Sequence, residues 1–271
     1  MKTKLAKKYT NILLISVLVA ATAACQSRAE KFFKQAQKKI EARLFLDAVD
    51  LLENSAELEK NNNKWSSTNF EIARILRFEI QDYNKALLVY KDLILKSEDV
   101  NLRILSQEAI AEIHFENTQD YASALKEYLL LESLLQDKSK LERVKLKIAQ
   151  CYRYLGNLDT SLEYIDVALK TVEKKVNFMN IKAQIYLAQK KYDLSLATFQ
   201  QIYREDIAYF NTENLYSSIL NVYEEKADYK SALAYLNENK TYFKDPNFIE
   251  WKTKRLNEKL INKPFSKGIR K

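Results

Sequence analysis

The sequence contains very few residues that interrupt helices. Among its 271 residues there are two Gly and two Pro, so helices joined by short turns are expected. The scarcity of glycine also excludes a glycine-rich phosphate-binding loop. An apolar fraction of 47% and a charged fraction of 30% exclude a mainly disordered chain. The composition therefore predicts an all-α fold.

Groups that carry acid–base or metal chemistry are also scarce. His114 is the only histidine, which excludes a histidine-pair metal site. Its apolar neighbours Ile113 and Phe115 favour a structural role for the imidazole. Adjacent acids such as Glu224 and Glu225 are interpreted as solvated helix faces. We therefore predict a non-catalytic protein with neither a cofactor nor a metal ion.

What the sequence does contain is a regular repeat. A small residue follows three positions after a bulky one six times, and successive small residues are 38, 38, 37, 34 and 37 positions apart. A period of this length is typical of stacked helical hairpins, whose units bury their apolar faces only against neighbours. The six pairs are Phe45/Ala48, Tyr83/Ala86, Tyr121/Ala124, Leu158/Ser161, Tyr192/Ser195 and Tyr229/Ala232.

Two further positions complete each unit. A second bulky residue lies four positions after each small one, which gives a large–small–large stripe on one helix face. These residues are Leu52, Tyr90, Tyr128, Ile165, Phe199 and Leu236. Twelve or thirteen positions before the small residue lies a mostly small one in the preceding helix, where it allows close packing of antiparallel helices. That position holds Ala36, Ala73, Ala111, Ala149, Ala183 and, in the last unit, Leu220.

This pattern resembles the tetratricopeptide repeat (TPR) family over roughly residues 27–241, most closely in Ala149–Tyr152–Ser161–Ile165. The resemblance implies a right-handed α-solenoid of about six helical hairpins, followed by a capping helix at 246–262. In the second and third units one extra residue separates the two small positions, and we expect it in the turn inside the hairpin. The expected repeats are 30–60, 66–97, 101–136, 140–172, 176–204 and 212–241.

Residues 1–24 resemble the signal peptide of a bacterial lipoprotein. Four lysines precede Ile12–Ala24, an uncharged run of 13 residues that is shorter than the roughly 20 residues needed to span a bilayer. Small residues before Cys25 resemble a lipidation motif, although Thr22 replaces its usual aliphatic residue. We expect a lipidated Cys25 that carries diacylglycerol and palmitate, followed by a short tether at 25–29. An ordinary signal peptide or a retained anchor is the alternative. Cys151, then the remaining thiol, is interpreted as a buried small hydrophobe.

The distribution of charge argues against nucleic-acid binding. The whole chain has a net charge of +8, but four lysines belong to the signal segment, which leaves +4. Residues 252–271 have a net charge of +7, so residues 25–251 have −3. A slightly acidic repeat region lacks the basic stripe that binds nucleic acid. The basic tail at 263–271 is interpreted as a loose end, with docking on anionic lipid or an acidic partner as the alternative.

The TPR resemblance implies a concave ligand groove lined mainly by the first helix of each hairpin. Its candidate residues are Arg74, Arg77, Glu108, Glu112, Arg143, Lys147, Gln150, Arg153, Asn180, Gln184, Ser217 and Asn221. The basic residues of the fourth repeat are suited to a carboxylate or acidic peptide; the alternative is a solvated face. Tyr154, Tyr209, Phe210 and Tyr216 lie outside the repeat pattern and are interpreted as packing between repeats or as ligand contacts.

The function expected from these features is a non-catalytic adaptor, anchored by lipid in the bacterial outer membrane and facing the periplasm. It resembles TPR lipoproteins of outer-membrane barrel assembly and pilotins of type IV pilus secretins, and its expected partners are other envelope proteins or peptides. Gln26, where an Asp would retain the protein at the inner membrane, favours the outer membrane by analogy. A regulator of peptidoglycan synthesis or hydrolysis and a carboxylate enzyme are the alternatives.

Overall fold

The computed structural model describes residues 27–262, and within that range every regular element is helical. The chain divides into two compact units, the first ending at Glu127 and the second beginning at Tyr128, inside one helix. The prediction of an all-α fold built of helical hairpins is confirmed. The signal peptide, Cys25 and the basic tail at 263–271 lie outside the described residues.

From residue 27 onward, the first unit contains five complete α-helices and the start of a sixth. They are α1 (Arg28–Glu41), α2 (Phe45–Leu58), α3 (Asn62–Ile75), α4 (Tyr83–Lys96), α5 (Val100–Glu112) and α6 (Tyr121–Leu134). Polar residues define several starts, because the side chains of Ser27, Asn61, Asp82 and Asp99 accept backbone N–H groups of the first turn, as helix caps do. One apolar core in this unit is built on Leu52, Ile72, Tyr90 and Ile110.

The second unit contains eight further helices. They are α7 (Lys138–Tyr154), α8 (Leu158–Ala168), α9 (Lys175–Ala188), α10 (Tyr192–Glu205), α11 (Ile207–Thr212), α12 (Leu215–Glu225), α13 (Tyr229–Glu238) and α14 (Pro246–Ile261). The last of them packs against α13. It is fixed by Leu256, which is fully buried, and by Lys252, whose Nζ lies 2.5 Å from the Glu224 carboxylate of α12.

The predicted packing role of the small residues is confirmed. Ala48, Ala86, Ala124, Ser161, Ser195 and Ala232 are all 0% exposed. Where the small residue is serine, its hydroxyl joins the two small positions of the hairpin: Ser161 Oγ donates to the Ala149 carbonyl and Ser195 Oγ to the Ala183 carbonyl, both at 2.8 Å. Each of these two buried serine hydroxyls therefore has a hydrogen-bond partner inside the core.

Every hairpin turn contains a left-handed residue two positions before the bulky residue of the repeat. Their φ angles lie between 54° and 78°. These residues are Arg43, Gln81, Gln119, Gly156, Lys190 and Ala227. In four turns the next N–H bonds a carbonyl five residues back, as from Leu44 to Lys39 or from Asn157 to Tyr152, the geometry of a Schellman cap. Of the six left-handed turn residues, only Gly156 is a glycine.

The expected position of the extra residue in the second and third hairpins is wrong. Both turns keep the left-handed residue in its usual place, and the first helix of each hairpin instead ends in a π-helical segment, Leu76–Ile80 and Ile113–Asn117. The N–H of Asp82 accordingly bonds the carbonyl of Leu76, six residues back. A single inserted residue fits a helix as a π-bulge, so the turn and the following helix keep their register.

Candidate functional site

The candidate groove residues of the first unit pair mostly with one another or with nearby acids. Arg74, on α3, makes two hydrogen bonds to Glu71, at 2.9 and 3.0 Å. Arg77 donates to the Glu112 carboxylate at 2.8 Å, and its Nε lies 3.4 Å from Asn117 Oδ1. Arg77, in the first π-helical segment, thus bonds Asn117 in the second segment and Glu112 directly before it. Glu108 lies half-buried one turn before Glu112.

These pairs are part of the packing of the first unit. The Arg77 side chain is only 5% exposed, and an arginine buried this deeply needs its acidic partner. Beside the two arginines, Tyr90 is 1% exposed, and burial raises the pKa of its hydroxyl to about 12, although Arg77 and Arg74 act in the opposite direction. Arg74, Arg77 and Glu112 are therefore already engaged in pairs within the first unit.

In the second unit, candidates from three successive repeats converge. Arg153 at the end of α7, Gln184 on α9 and Asn221 on α12 line one concavity of about 450 Å³. Each comes from the first helix of its hairpin, as the TPR resemblance implies. A row of three polar side chains from three helices is a surface suited to an extended or helical segment of another protein.

Polar capacity remains unused at this concavity. Within residues 27–262, Arg153 Nε is buried and has no hydrogen-bond partner. Gln150 Oε1, one turn earlier on α7, is also without a partner in this range but does not line the concavity. The guanidinium carbon of Arg153 lies 4.4 Å from the centre of the Tyr154 ring, a cation–π contact that holds the arginine in place. Buried polar atoms are normally satisfied, so a partner that supplies an acceptor for the Arg153 N–H removes an existing deficit.

Five residues that line the same concavity were not predicted as groove residues from the sequence, and three of them are polar or aromatic. Lys190 lies in the turn between α9 and α10, Tyr192 begins α10, and Glu225 ends α12. The charged residues of the concavity are therefore two cations, Arg153 and Lys190, and one acid, Glu225. The sequence signal that could have identified Lys190 is its place in the hairpin turn, two residues before the bulky residue Tyr192 of the repeat.

The remaining candidates of the fifth and sixth repeats support this surface. Gln184 Nε2 donates to Asn180 Oδ1 at 3.0 Å, and Asn180 Nδ2 donates to the Tyr209 hydroxyl at 3.1 Å. This chain orients Gln184 toward the concavity's wall and leaves Asn180 only 8% exposed. Ser217, by contrast, accepts a hydrogen bond from Asn214 at 3.0 Å within its own helix start.

Arg143 lies at a different place on α7. It lines a concavity of about 540 Å³ with Phe178 and Asn177, close to Glu142, whose carboxylate accepts the N–H groups of Glu173 and Lys174, both at 3.0 Å. The structure therefore does not bring Arg143 and Arg153 into one pocket. Lys147 is half-buried between them on the same helix.

The other residues singled out from the sequence are structural in the described chain. Cys151 is fully buried, as predicted, and burial raises the pKa of its thiol to about 12. His114 is largely buried, with Nδ1 3.9 Å from an Asp120 carboxylate oxygen. Within residues 27–262 no group of three metal-binding side chains comes together, and no helix has the length and apolar character to cross a membrane.

Comparison with known proteins identifies the fold. No protein-family profile and no curated protein matches the sequence. Among solved structures, the chain is similar to a tetratricopeptide repeat protein from Parabacteroides merdae, with a TM-score of 0.62, 16% identity, and coverage of 86% of this chain and 87% of that one.

Two further structures are similar over most of this chain. BtubC from P. vanneervenii has a TM-score of 0.52 and 13% identity, with 88% of this chain and 94% of that one covered. A signal transduction ATPase with a tetratricopeptide repeat sensor, from Pyrococcus horikoshii, has a TM-score of 0.56 and 15% identity, with 85% of this chain and 38% of that one covered. Together with the hairpins and their buried small residues, these similarities show that the chain has the fold of tetratricopeptide repeat proteins.

Proposed function

We propose that this protein is a non-catalytic adaptor that binds other proteins through the concavity of Arg153, Gln184 and Asn221. The observation that carries the proposal is the convergence of these residues from three repeats, together with the buried Nε of Arg153, which has no hydrogen-bond partner within residues 27–262. Amide side chains both donate and accept, so Gln184 and Asn221 suit the backbone of a bound segment. Arg153 suits a carboxylate of that segment.

The cellular setting is part of the same proposal. We propose that Cys25 is lipidated and holds the protein at the bacterial envelope, facing the periplasm from the outer membrane, with partners in barrel or secretin assembly. The basis is the sequence of residues 1–26 alone: four lysines, a 13-residue uncharged run and small residues before Cys25. One acyl chain binds membranes only weakly, whereas several chains on one cysteine hold a protein stably.

Fractionation of cells tests the anchor. The Cys25→Ala variant is expected to leave the membrane fraction because no acyl chain can be attached, while Cys151→Ala, the matched control, stays with the membranes. Membrane retention of Cys25→Ala with an uncleaved N-terminus would sink the lipoprotein proposal and favour a retained anchor.

Charge reversal tests the binding surface. Crosslinked capture from envelope extracts with Arg153→Glu is expected to recover the partner at a yield reduced by at least about fivefold, the loss of roughly 1 kcal/mol of binding free energy. Lys170→Glu makes the same change at an exposed position of the same unit and is expected to capture normally. Equal capture by both variants contradicts a binding role for the concavity.

A further inference from the structure

A third cavity in the second unit has four aromatic side chains among the residues that line it. It measures about 250 Å³ and lies where α10, α11, α12 and α13 meet, with walls formed by Tyr203, Phe210, Tyr216, Ile219 and Tyr235. No groove candidate lines it. The repeat pattern accounts for none of the three residues Tyr203, Phe210 and Tyr216.

The aromatic walls are fixed before any ligand arrives. The Phe210 ring contacts Tyr203 edge to face, with centroids 5.2 Å apart, and contacts Tyr216 in the same way at 4.9 Å. Tyr216 also stacks on Tyr242 at 4.1 Å. Phe210 and Tyr216 are 1% and 3% exposed, whereas Tyr203 is 42% exposed and forms the open side of the cavity. Rigid aromatic walls of this kind lower the ordering cost of binding.

Size and charge define what fits this cavity. Pockets for drug-sized molecules measure about 300–1,000 Å³, so a cavity of about 250 Å³ suits a single large side chain. Arg204 is the one formally charged residue that lines it, beside the amides of Gln200 and Asn239. Arg204 is exposed and makes no ion pair within residues 27–262, and an unpaired arginine favours a carboxylate neighbour.

We propose that this cavity binds one aromatic side chain of a partner protein whose next residue is acidic. The aromatic ring fills the space between Tyr203, Phe210 and Tyr235, and the neighbouring carboxylate pairs with Arg204. Buried aromatic anchors in preformed pockets carry much of the binding free energy at protein interfaces. The cavity is separate from the concavity of Arg153, so this site stands even if that surface binds nothing.

Short peptides test the cavity directly. The probe is acetyl-Phe-Asp-amide, titrated into the purified protein with isoleucine methyl groups labelled for NMR, so that Ile219 reports on the cavity. We expect saturable shifts of the Ile219 methyl signal. Acetyl-Phe-Asn-amide, which lacks the charge, is expected to bind about two- to fivefold more weakly, and acetyl-Ala-Asp-amide is expected to leave the signal unchanged.

Variants assign the two parts of the interaction. Arg204→Gln is expected to remove the difference between the Asp and Asn peptides, while Lys170→Gln, an exposed cation of the same unit, keeps it. Tyr203→Ala, at the half-exposed wall, is expected to weaken both peptides by about tenfold. The proposal is overturned if Ile219 does not respond to the Phe-Asp peptide. It is also overturned if the unaltered protein binds the Asp and Asn peptides equally. The same holds if a folded Tyr203→Ala variant binds the Phe-Asp peptide as tightly as the unaltered protein does.

Discussion

At the scale of single residues, the fold depends on six positions that must stay small. All six side chains are 0% exposed, as expected of small residues between the two packed helices of a hairpin. Serine and alanine are alternatives at these positions because a serine hydroxyl reaches the carbonyl of the residue twelve positions earlier. A larger side chain has no space there unless helices move apart.

Ser195 allows a graded test of this packing. Ser195→Ala removes the hydrogen bond to Ala183 and is expected to lower the free energy of unfolding by about 1 kcal/mol. Ser195→Leu is expected to lower it by about 2–3 kcal/mol through overpacking. Urea denaturation of both variants measures the difference. A leucine variant as stable as the alanine variant would show that the position is not tightly packed.

At the scale of elements, the six hairpin turns share a left-handed residue that is glycine only at Gly156. A side chain at positive φ carries a steric cost of about 1 kcal/mol or more that glycine avoids. No atom lies within 4 Å of a Cβ placed on Gly156, so a substitution there changes the backbone energy without a clash. Glycine is therefore the residue of lowest backbone energy at this position, although five of the six turns hold another residue.

Reciprocal substitutions measure that preference. Ala227→Gly is expected to stabilise the protein by about 0.5–1 kcal/mol, and Gly156→Ala to destabilise it by about 1 kcal/mol. Thermal unfolding of each variant gives the sign, and the exposed substitution Lys170→Ala serves as a control for solvent-side changes. Stabilisation by Gly156→Ala, or destabilisation by Ala227→Gly, would contradict the role assigned to the turns.

The sequence predicted the elements better than their local geometry. Small and bulky residues at helical spacing were enough to predict six hairpins, because close helix packing tolerates few residue types at these points. The thirteen-residue spacing between Ala73 and Ala86 revealed an insertion but not its place, since a turn and a π-bulge both accommodate one residue. The short helix α11 carries no repeat signal and was missed.

The candidate site was predictable to a similar degree. The TPR resemblance implied that Arg153, Gln184 and Asn221 face one groove, and the structure brings these three residues together. The position of a residue on a helix face does not reveal which side chain it pairs with, however. Arg77 binds Glu112 of the neighbouring repeat, 35 residues away in the sequence. Opposite charges about one repeat apart were the available signal. The aromatic cavity lies outside the repeat pattern, so periodicity gives no information about it.

At the scale of the whole molecule, consensus residues form the scaffold and binding falls to the residues between them. The repeat region carries a slight negative charge and the residues from 252 onward a positive one, while Arg153 and Lys190 place two cations beside the single acid Glu225 at the concavity. Charges at a protein surface, such as the partly exposed Arg153 and the exposed Lys190, affect recognition and association rate more than fold stability. The fold is therefore expected to tolerate changes at the concavity that abolish binding.

Photo-crosslinking in living cells tests the central claim most directly. A photoreactive amino acid at position 221, on the exposed edge of the concavity, is expected to form a discrete adduct with another protein that disappears when Arg153→Glu is added. The same amino acid at position 170, exposed in the same unit, is expected not to form that adduct. No adduct at position 221, or one that also forms at position 170 and persists with Arg153→Glu, would contradict an adaptor that binds through Arg153, Gln184 and Asn221.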